Sequence, residues 1–160
     1  MIKIKKSSTA DTRTCDWSKV SKETLMQSSY QHIGDVKQAL DFFRKCLENA
    51  GETHDSDKIT GIDDFHADFA TGFKQTGWWD RHRSLNRHHI NFADGVPTDV
   101  NLIDVLEHVA DCVMAGMARS GSVYTLKIPD EVLQRAFANT VELLKSRVVV
   151  EEENKQGGGE

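Results

Sequence analysis

The sequence is poor in the residues that define several protein classes. It has 160 residues but only three cysteines and two prolines, and no two cysteines form a CxxC pair. This scarcity argues against a disulfide framework and against a zinc ribbon. We interpret Cys15, Cys46 and Cys112 as reduced thiols that serve packing.

Long apolar runs and an excess of positive charge are also missing. No stretch approaches the roughly 18 apolar residues that a membrane-spanning helix needs, and residues 1–6 are not followed by a signal-peptide core. Twenty Lys and Arg against 25 Asp and Glu leave a formal net charge of −5, which disfavours duplex nucleic acid as a partner. We therefore expect a cytoplasmic protein that binds neither membranes nor duplex nucleic acid. The sequence leaves homo-oligomer formation open.

What the chain does have is helical periodicity. Hydrophobic residues make up 38% and charged residues 28%, which suits one soluble domain. Apolar residues recur at spacings of three and four, which predicts an all-α fold of five or six helices. We place them near residues 21–50, 54–73 with a break at Gly61, 78–89, 98–120 and 129–146. Gly51 and Gly121 are expected to end helices, and Thr98 or Asp99 to cap one.

The two ends of the chain differ from this helical part. Residues 1–20 are predicted to be an N-terminal arm, residues 21–147 the helical domain, and residues 148–160 a polar, flexible tail. The alternating apolar residues of 2–4 and the three valines of 148–150 make these segments candidates for a small terminal β ribbon.

Histidine is the most informative residue type. Seven histidines are present, and several fall where helix starts and helix faces could converge. Asp111 lies between apolar positions of a helix, where a carboxylate is costly unless it is paired or bound to a metal. Imidazoles with carboxylates are the ligands of borderline divalent metals. The candidate ligands of one or two such ions are His32, His54, Asp55, His82, His88, His89 and Asp111.

Each candidate also has a simpler interpretation. His54 and Asp55 suit a helix N-terminus, where acidic charge is favourable. His32 alone is typical of a buried, hydrogen-bonded imidazole, and Asp111 could pair with Arg119. The basic residues between Trp78 and His89 suit a solvated helix face.

The order of these residues, H…HD…H…HH…D, resembles the ligand order of the HD-domain superfamily of metal-dependent phosphohydrolases. His54-Asp55-Ser56-Asp57-Lys58 is similar to the superfamily motif HDxxK, and His88-His89 followed by Asp94-Gly95 is similar to a stretch of its cyclic-dinucleotide phosphodiesterase branch. Ile90 stands where that branch has glutamate. The resemblance implies a helical HD-type domain in which His32, His54, Asp55 and Asp111 hold one metal. His82, His88 and His89 then complete a second site, and Asp55 is shared.

A second resemblance covers most of the chain. The block from Trp78 to Gly121 is similar to a small family found in tailed bacteriophages. This resemblance implies a viral source and a bacterial host cytoplasm, and it implies no reaction.

The resulting hypothesis is a phosphohydrolase that releases phosphate or pyrophosphate from a nucleotide or related phosphoester. Asp55 would share two ions that activate a water, and Lys58 would hold the phosphate or that water. Arg81, Arg83 and Arg87 are candidates to neutralise the remaining phosphate charge. Two alternatives stay open: a di-iron oxygenase of the HD type, and a non-catalytic, metal-stabilised module that binds a nucleotide or a protein.

Overall fold

The computed structural model describes residues 1–6, 16–91 and 95–152. Its helices are α1 (Lys22–Thr53), α2 (Asp57–Thr60), α3 (Ile62–Phe69), α4 (Trp78–Leu85), α5 (Leu102–Ser120) and α6 (Asp130–Lys145), with a 3-10 turn at Trp17–Lys19. Two strands, β1 (Ile2–Lys5) and β2 (Val148–Glu151), complete the described secondary structure. The predicted all-α fold with a small terminal ribbon is confirmed.

The chain divides into two compact units. One is formed by the described parts of Met1–Phe43 and Leu143–Glu160, and the other is Arg44–Glu142. In the first unit, β1 pairs with β2 in parallel, with Ile2 opposite Val148 and Ile4 opposite Val150. Within this unit the amides of Gln31 and Gln38 donate to backbone carbonyls of β1, at Lys5 and Lys3.

The second unit contains a small hydrophobic core. Ile90, Val100, Val132 and Ala136 are buried at its centre. Thr140 of α6 accepts a hydrogen bond from the backbone N–H of Leu102, which joins α6 to the start of α5. Ile90 is thus a core side chain.

The helical region predicted over 54–73 is confined to α2 and α3, which ends at Phe69, and other helix boundaries differ from the predictions at three places. Gly51 does not end α1, which continues to Thr53. Neither Thr98 nor Asp99 caps α5, because Asn101 does so in a reciprocal capping box with Asp104. The predicted end of α5 at Gly121 is correct, since Gly121 has the left-handed φ of 70° that glycine adopts without strain.

The third difference affects the site directly. The helix predicted over 78–89 ends at Leu85, because the Asn86 side chain donates to the carbonyl of His82 and the backbone turns extended at Asn86. At the other end of α4, buried Asp68 accepts hydrogen bonds from the backbone N–H groups of Gln75, Thr76 and Trp79. These bonds, led by that of Thr76, lower the pKa of Asp68. Because α4 ends at Leu85, Arg83 lies within this helix and Arg87 lies beyond it. The two arginines therefore do not share a helix face.

Several other features bear on the predictions. No helix in the described part of the chain combines the length and apolarity needed to cross a membrane. Cys46 and Cys112 are free thiols, and Cys112 is buried. Cys15, Asp94 and the tail from residue 153 onward lie outside the described residues.

Candidate metal centre

The centre is built around the turn between α1 and α2. His54 and Asp55 follow the last residue of α1, and Asp55 has a positive φ of 51°. Aspartate tolerates this left-handed conformation better than most residues. The backbone N–H of Asp55 donates to Asn86 Oδ1 at 3.2 Å, which fixes the turn to the segment after α4. His54 and Asp55 thus lie in a turn rather than opening a helix.

The first group of possible ligands comprises His54, Asp55 and His88. His54 Nε2 lies 3.6 Å from Asp55 Oδ2, and His88 Nε2 lies 3.6 Å from Asp55 Oδ1. Asp111 on α5 adds a carboxylate at the edge of this group, with its Oδ1 3.8 Å from His54 Nε2. We call this set the His54–His88 group.

The second group comprises Asp55, His82 and His89. His82 Nε2 lies 3.4 Å from Asp55 Oδ1 and 2.9 Å from His89 Nε2. His82 comes from the last turns of α4, whereas His89 follows that helix. We call this set the His82–His89 group, and Asp55 belongs to both groups.

The donor atoms fit divalent metal ions. Ligands about 2.0–2.2 Å from one ion lie roughly 3 to 3.5 Å from each other, and the separations above are close to that range. Asp55 Oδ1 and His88 Nε2 are buried and have no hydrogen-bond partner in the described part of the chain. Such orphaned acceptors are costly unless something else satisfies them, and a cation would do so.

Acidic residues behind the imidazoles set their orientation. Glu107 Oε1 lies 2.9 Å from the Nδ1 atoms of both His54 and His88, and it is hydrogen-bonded to His54. Asp57 accepts a hydrogen bond from His82 Nδ1 at 2.9 Å. A proton held on Nδ1 leaves Nε2 with a free lone pair, which is the arrangement found behind most metal-binding histidines.

Asn86 connects the two groups. Its Nδ2 donates to Asp57 Oδ1 at 2.9 Å and to the carbonyl of His82 at 2.9 Å, while its Oδ1 accepts from the Asp55 backbone. One amide therefore holds the backbone of Asp55, the shared residue, and the carboxylate behind His82.

The ionisation of the centre suits ligation. Burial is the strongest single influence on Asp55 and would raise its pKa, but the hydrogen bond and charge of Lys58 together with His54 and His82 outweigh it and lower that pKa. Burial also opposes ionisation of Glu107, whose pKa is nevertheless lowered by His88 and His54. Burial, with His88 and His82 nearby, lowers the pKa of His89 from 6.5 to about 3. Both carboxylates are therefore charged, and His89 is neutral, near pH 7.

The predicted phosphate-binding residues have different surroundings. Lys58 Nζ donates to Asp55 Oδ2, at the centre itself. Arg83 lines a pocket of about 280 Å³ together with His89. Arg81 forms an exposed ion pair with Asp64. Arg87 donates to both carboxylate oxygens of buried Asp104 and also binds Asp99, so its guanidinium is committed to the start of α5.

The remaining predicted ligand, His32, is exposed on α1 and belongs to neither group. Three residues that the sequence analysis did not select, Asp57, Asn86 and Glu107, contact the ligands instead. The only sequence feature that could have identified them is their closeness in sequence to candidate ligands. Asp57 and Asn86 each lie within four residues of a ligand, and Glu107 lies four residues before Asp111. Trp78 is buried and stacks on His82 with ring centroids 4.7 Å apart, so it packs beneath the centre.

Comparisons with known proteins give no further assignment. The chain matches no protein-family model, and neither the curated proteins nor the solved structures include a significant match.

Proposed function

We propose that the protein is a metal-dependent phosphohydrolase that releases phosphate or pyrophosphate from a nucleotide or related phosphoester. The observation that carries this proposal is the convergence of four imidazoles on the two oxygens of Asp55. When bound, divalent ions in such a site supply Lewis acidity, which lowers the pKa of a water and neutralises phosphate oxygens.

Different residues of the protein would bind the ions, orient the ligands and supply positive charge. His54 and His88, with Asp111 at their edge, would hold one ion, and His82 and His89 the other, with Asp55 between them. Glu107 and Asp57, each 2.9 Å from an Nδ1 atom of its imidazoles, would favour the proton on Nδ1 and leave Nε2 for the metal. Lys58 and Arg83 supply positive charge near the carboxylate and near His89, where a phosphate would need it.

The HD-superfamily resemblance supports the same chemistry, since its ligand order agrees with five of the residues that converge here. The bacteriophage resemblance leads us to include a bacterial host cytoplasm as the place of action. An oxygenase of the HD type would use the same donors, so the experiment must separate the two reactions.

A phosphate-release screen tests the proposal. The purified protein is loaded with Mn²⁺, Co²⁺ or Fe²⁺ and incubated with nucleoside mono-, di- and triphosphates and simple organic phosphates. We expect phosphate release with at least one ion, and none from Asp55→Ala or His54→Ala. Oxygen consumption by the iron-loaded protein without phosphate release would favour the oxygenase. Full metal binding with neither reaction would favour the non-catalytic module.

Lys58→Ala sharpens this test. We expect the variant to keep its metal, because Lys58 is not a ligand, and to turn over substrate about tenfold more slowly. Lys74→Ala, on the exposed segment before α4, is the matched control. Unchanged turnover in Lys58→Ala would remove this lysine from the mechanism.

A further inference from the structure

An apolar pocket adjoins the centre on the side of the His54–His88 group. It has a volume of about 330 Å³ and lies between the last turns of α1 and the middle of α5. Three residues of the centre, His54, Glu107 and Asp111, form part of its lining. The rest of the lining is apolar or small and includes Leu47, Leu106, Ala110 and Met114.

The polar groups of this pocket are already committed to the centre. Glu107 faces the imidazoles of His54 and His88, and Asp111 faces His54 Nε2. The lining side chains therefore offer few hydrogen-bonding groups for the donors and acceptors along the edge of a nucleobase. Burying such an edge without partners costs more than leaving it in water, whereas an apolar group gains from the same burial.

We propose that this pocket receives the organic part of the phosphoester, and that this part is an uncharged alkyl or aryl group rather than a nucleobase. The inference rests on the proposed phosphohydrolase function. Because His54 belongs to both the pocket and the His54–His88 group, a group seated here is directly next to the metal ligands. The phosphate would then extend towards Lys58 and Arg83.

The dimensions favour a small molecule over a protein partner. Pockets for small ligands begin at roughly 300 Å³, which is the scale of this one. A stable protein interface would instead bury about 800 Å² on each partner. The pocket thus suits a ring system or a short alkyl chain.

A pair of alanines on α5 provides a matched test. Ala110 lines the pocket, whereas Ala118 is an exposed alanine two turns further along the same helix and outside it. Leucine at either position costs little helix propensity. Ala110→Leu adds three carbon atoms where the proposed substituent would lie, and Ala118→Leu does not.

The kinetic experiment compares methyl phosphate, 1-naphthyl phosphate and adenosine monophosphate with the metal-loaded protein. We expect kcat/KM for 1-naphthyl phosphate to exceed that for methyl phosphate by about tenfold or more, as burial of a ring implies. Ala110→Leu should lower kcat/KM for 1-naphthyl phosphate far more than for methyl phosphate, while Ala118→Leu should behave as the wild type with both substrates. A preference for adenosine monophosphate over 1-naphthyl phosphate, or equal behaviour of the two leucine variants, would overturn the inference.

A binding experiment is independent of turnover. Ligand-observed NMR with 1-naphthol and the protein as purified should show binding to the wild type and to Ala118→Leu, and much weaker binding to Ala110→Leu. That result without any phosphate release would keep the apolar site and overturn the proposed function. Equal binding to both leucine variants would overturn the apolar site, whatever the phosphate-release screen shows.

Discussion

The two ligand groups share Asp55 but are supported differently. In the His54–His88 group, one carboxylate, Glu107, lies 2.9 Å from the Nδ1 atoms of both imidazoles. In the His82–His89 group, Asp57 contacts only one of the two imidazoles, His82, and His89 faces His82 itself. The difference teaches that one substitution behind the first group disturbs two ligands, whereas one behind the second group disturbs a single ligand.

The largest effect is expected at the residue that both groups share. Asp55→Asn keeps a side chain that tolerates the positive φ but lacks the charge, so we expect loss of both ions and of activity with the helical content unchanged. Elemental analysis and circular dichroism measure the two quantities. His66→Ala is the matched control and should keep its metal, because His66 is an exposed histidine of α3 in the same unit and belongs to neither group. Full metal content in Asp55→Asn would contradict the assignment.

Glu107→Gln and Asp57→Asn should separate the two groups. Removing a carboxylate behind a metal-binding imidazole weakens affinity by about 10- to 100-fold. We expect Glu107→Gln to weaken one of the two ions and Asp57→Asn the other, with the larger loss for Glu107→Gln. Calorimetric titration with Mn²⁺ would resolve the two binding events. If both variants weaken the same event, the division into two groups is wrong.

Asn86→Ala should have a smaller effect on both groups at once. The amide holds the Asp55 backbone and Asp57 but is not itself a ligand, so we expect about tenfold weaker metal binding in both events. Asn139 is a suitable control, because its amide also bridges two acceptors, the carbonyls of Thr98 and Val100, away from the centre. Asn139→Ala should lose about 1 kcal/mol of stability and no metal affinity. Identical metal affinities in the two variants would show that Asn86 ends α4 but does not support metal binding.

The smallest effect on metal is expected from Arg87→Ala. Arg87 binds Asp104, whose side chain is 5% exposed, and it does not face either ligand group. Its loss should lower the free energy of unfolding by about 1 to 3 kcal/mol and leave metal content unchanged. Urea denaturation of the purified variant checks the first part and elemental analysis the second. Loss of metal with an unchanged free energy of unfolding would contradict this assignment and would show that Arg87 supports the metal centre.

The sequence predicted the fold class and the residues that converge, because helical periodicity and the clustering of histidines are local signals. His32 illustrates the limit of this reasoning. The sequence alone favoured a buried imidazole at this position, yet His32 and its apolar neighbours Ile33 and Val36 are exposed on α1. A repeat of apolar residues defines a helix face but does not say what covers that face.

The supporting residues could not be found in this way. Asn86 acts because α4 ends at Leu85, and a helix end is set by side-chain hydrogen bonds that periodicity does not reveal. Glu107 acts through two histidines more than 50 and about 20 residues away along the chain, His54 and His88. Such contacts depend on tertiary structure. The sequence shows only that Asn86 and Glu107 lie near candidate ligands along the chain.

The most direct test of the central claim is a count of metal ions per chain. The wild-type protein is incubated with Mn²⁺, freed of unbound ions and analysed for metal and protein together with Asp55→Asn. The two ligand groups predict close to two ions per wild-type chain and none in the variant. No bound ion in the wild type, or equal content in both proteins, would contradict the claim that these histidines and Asp55 form a metal centre.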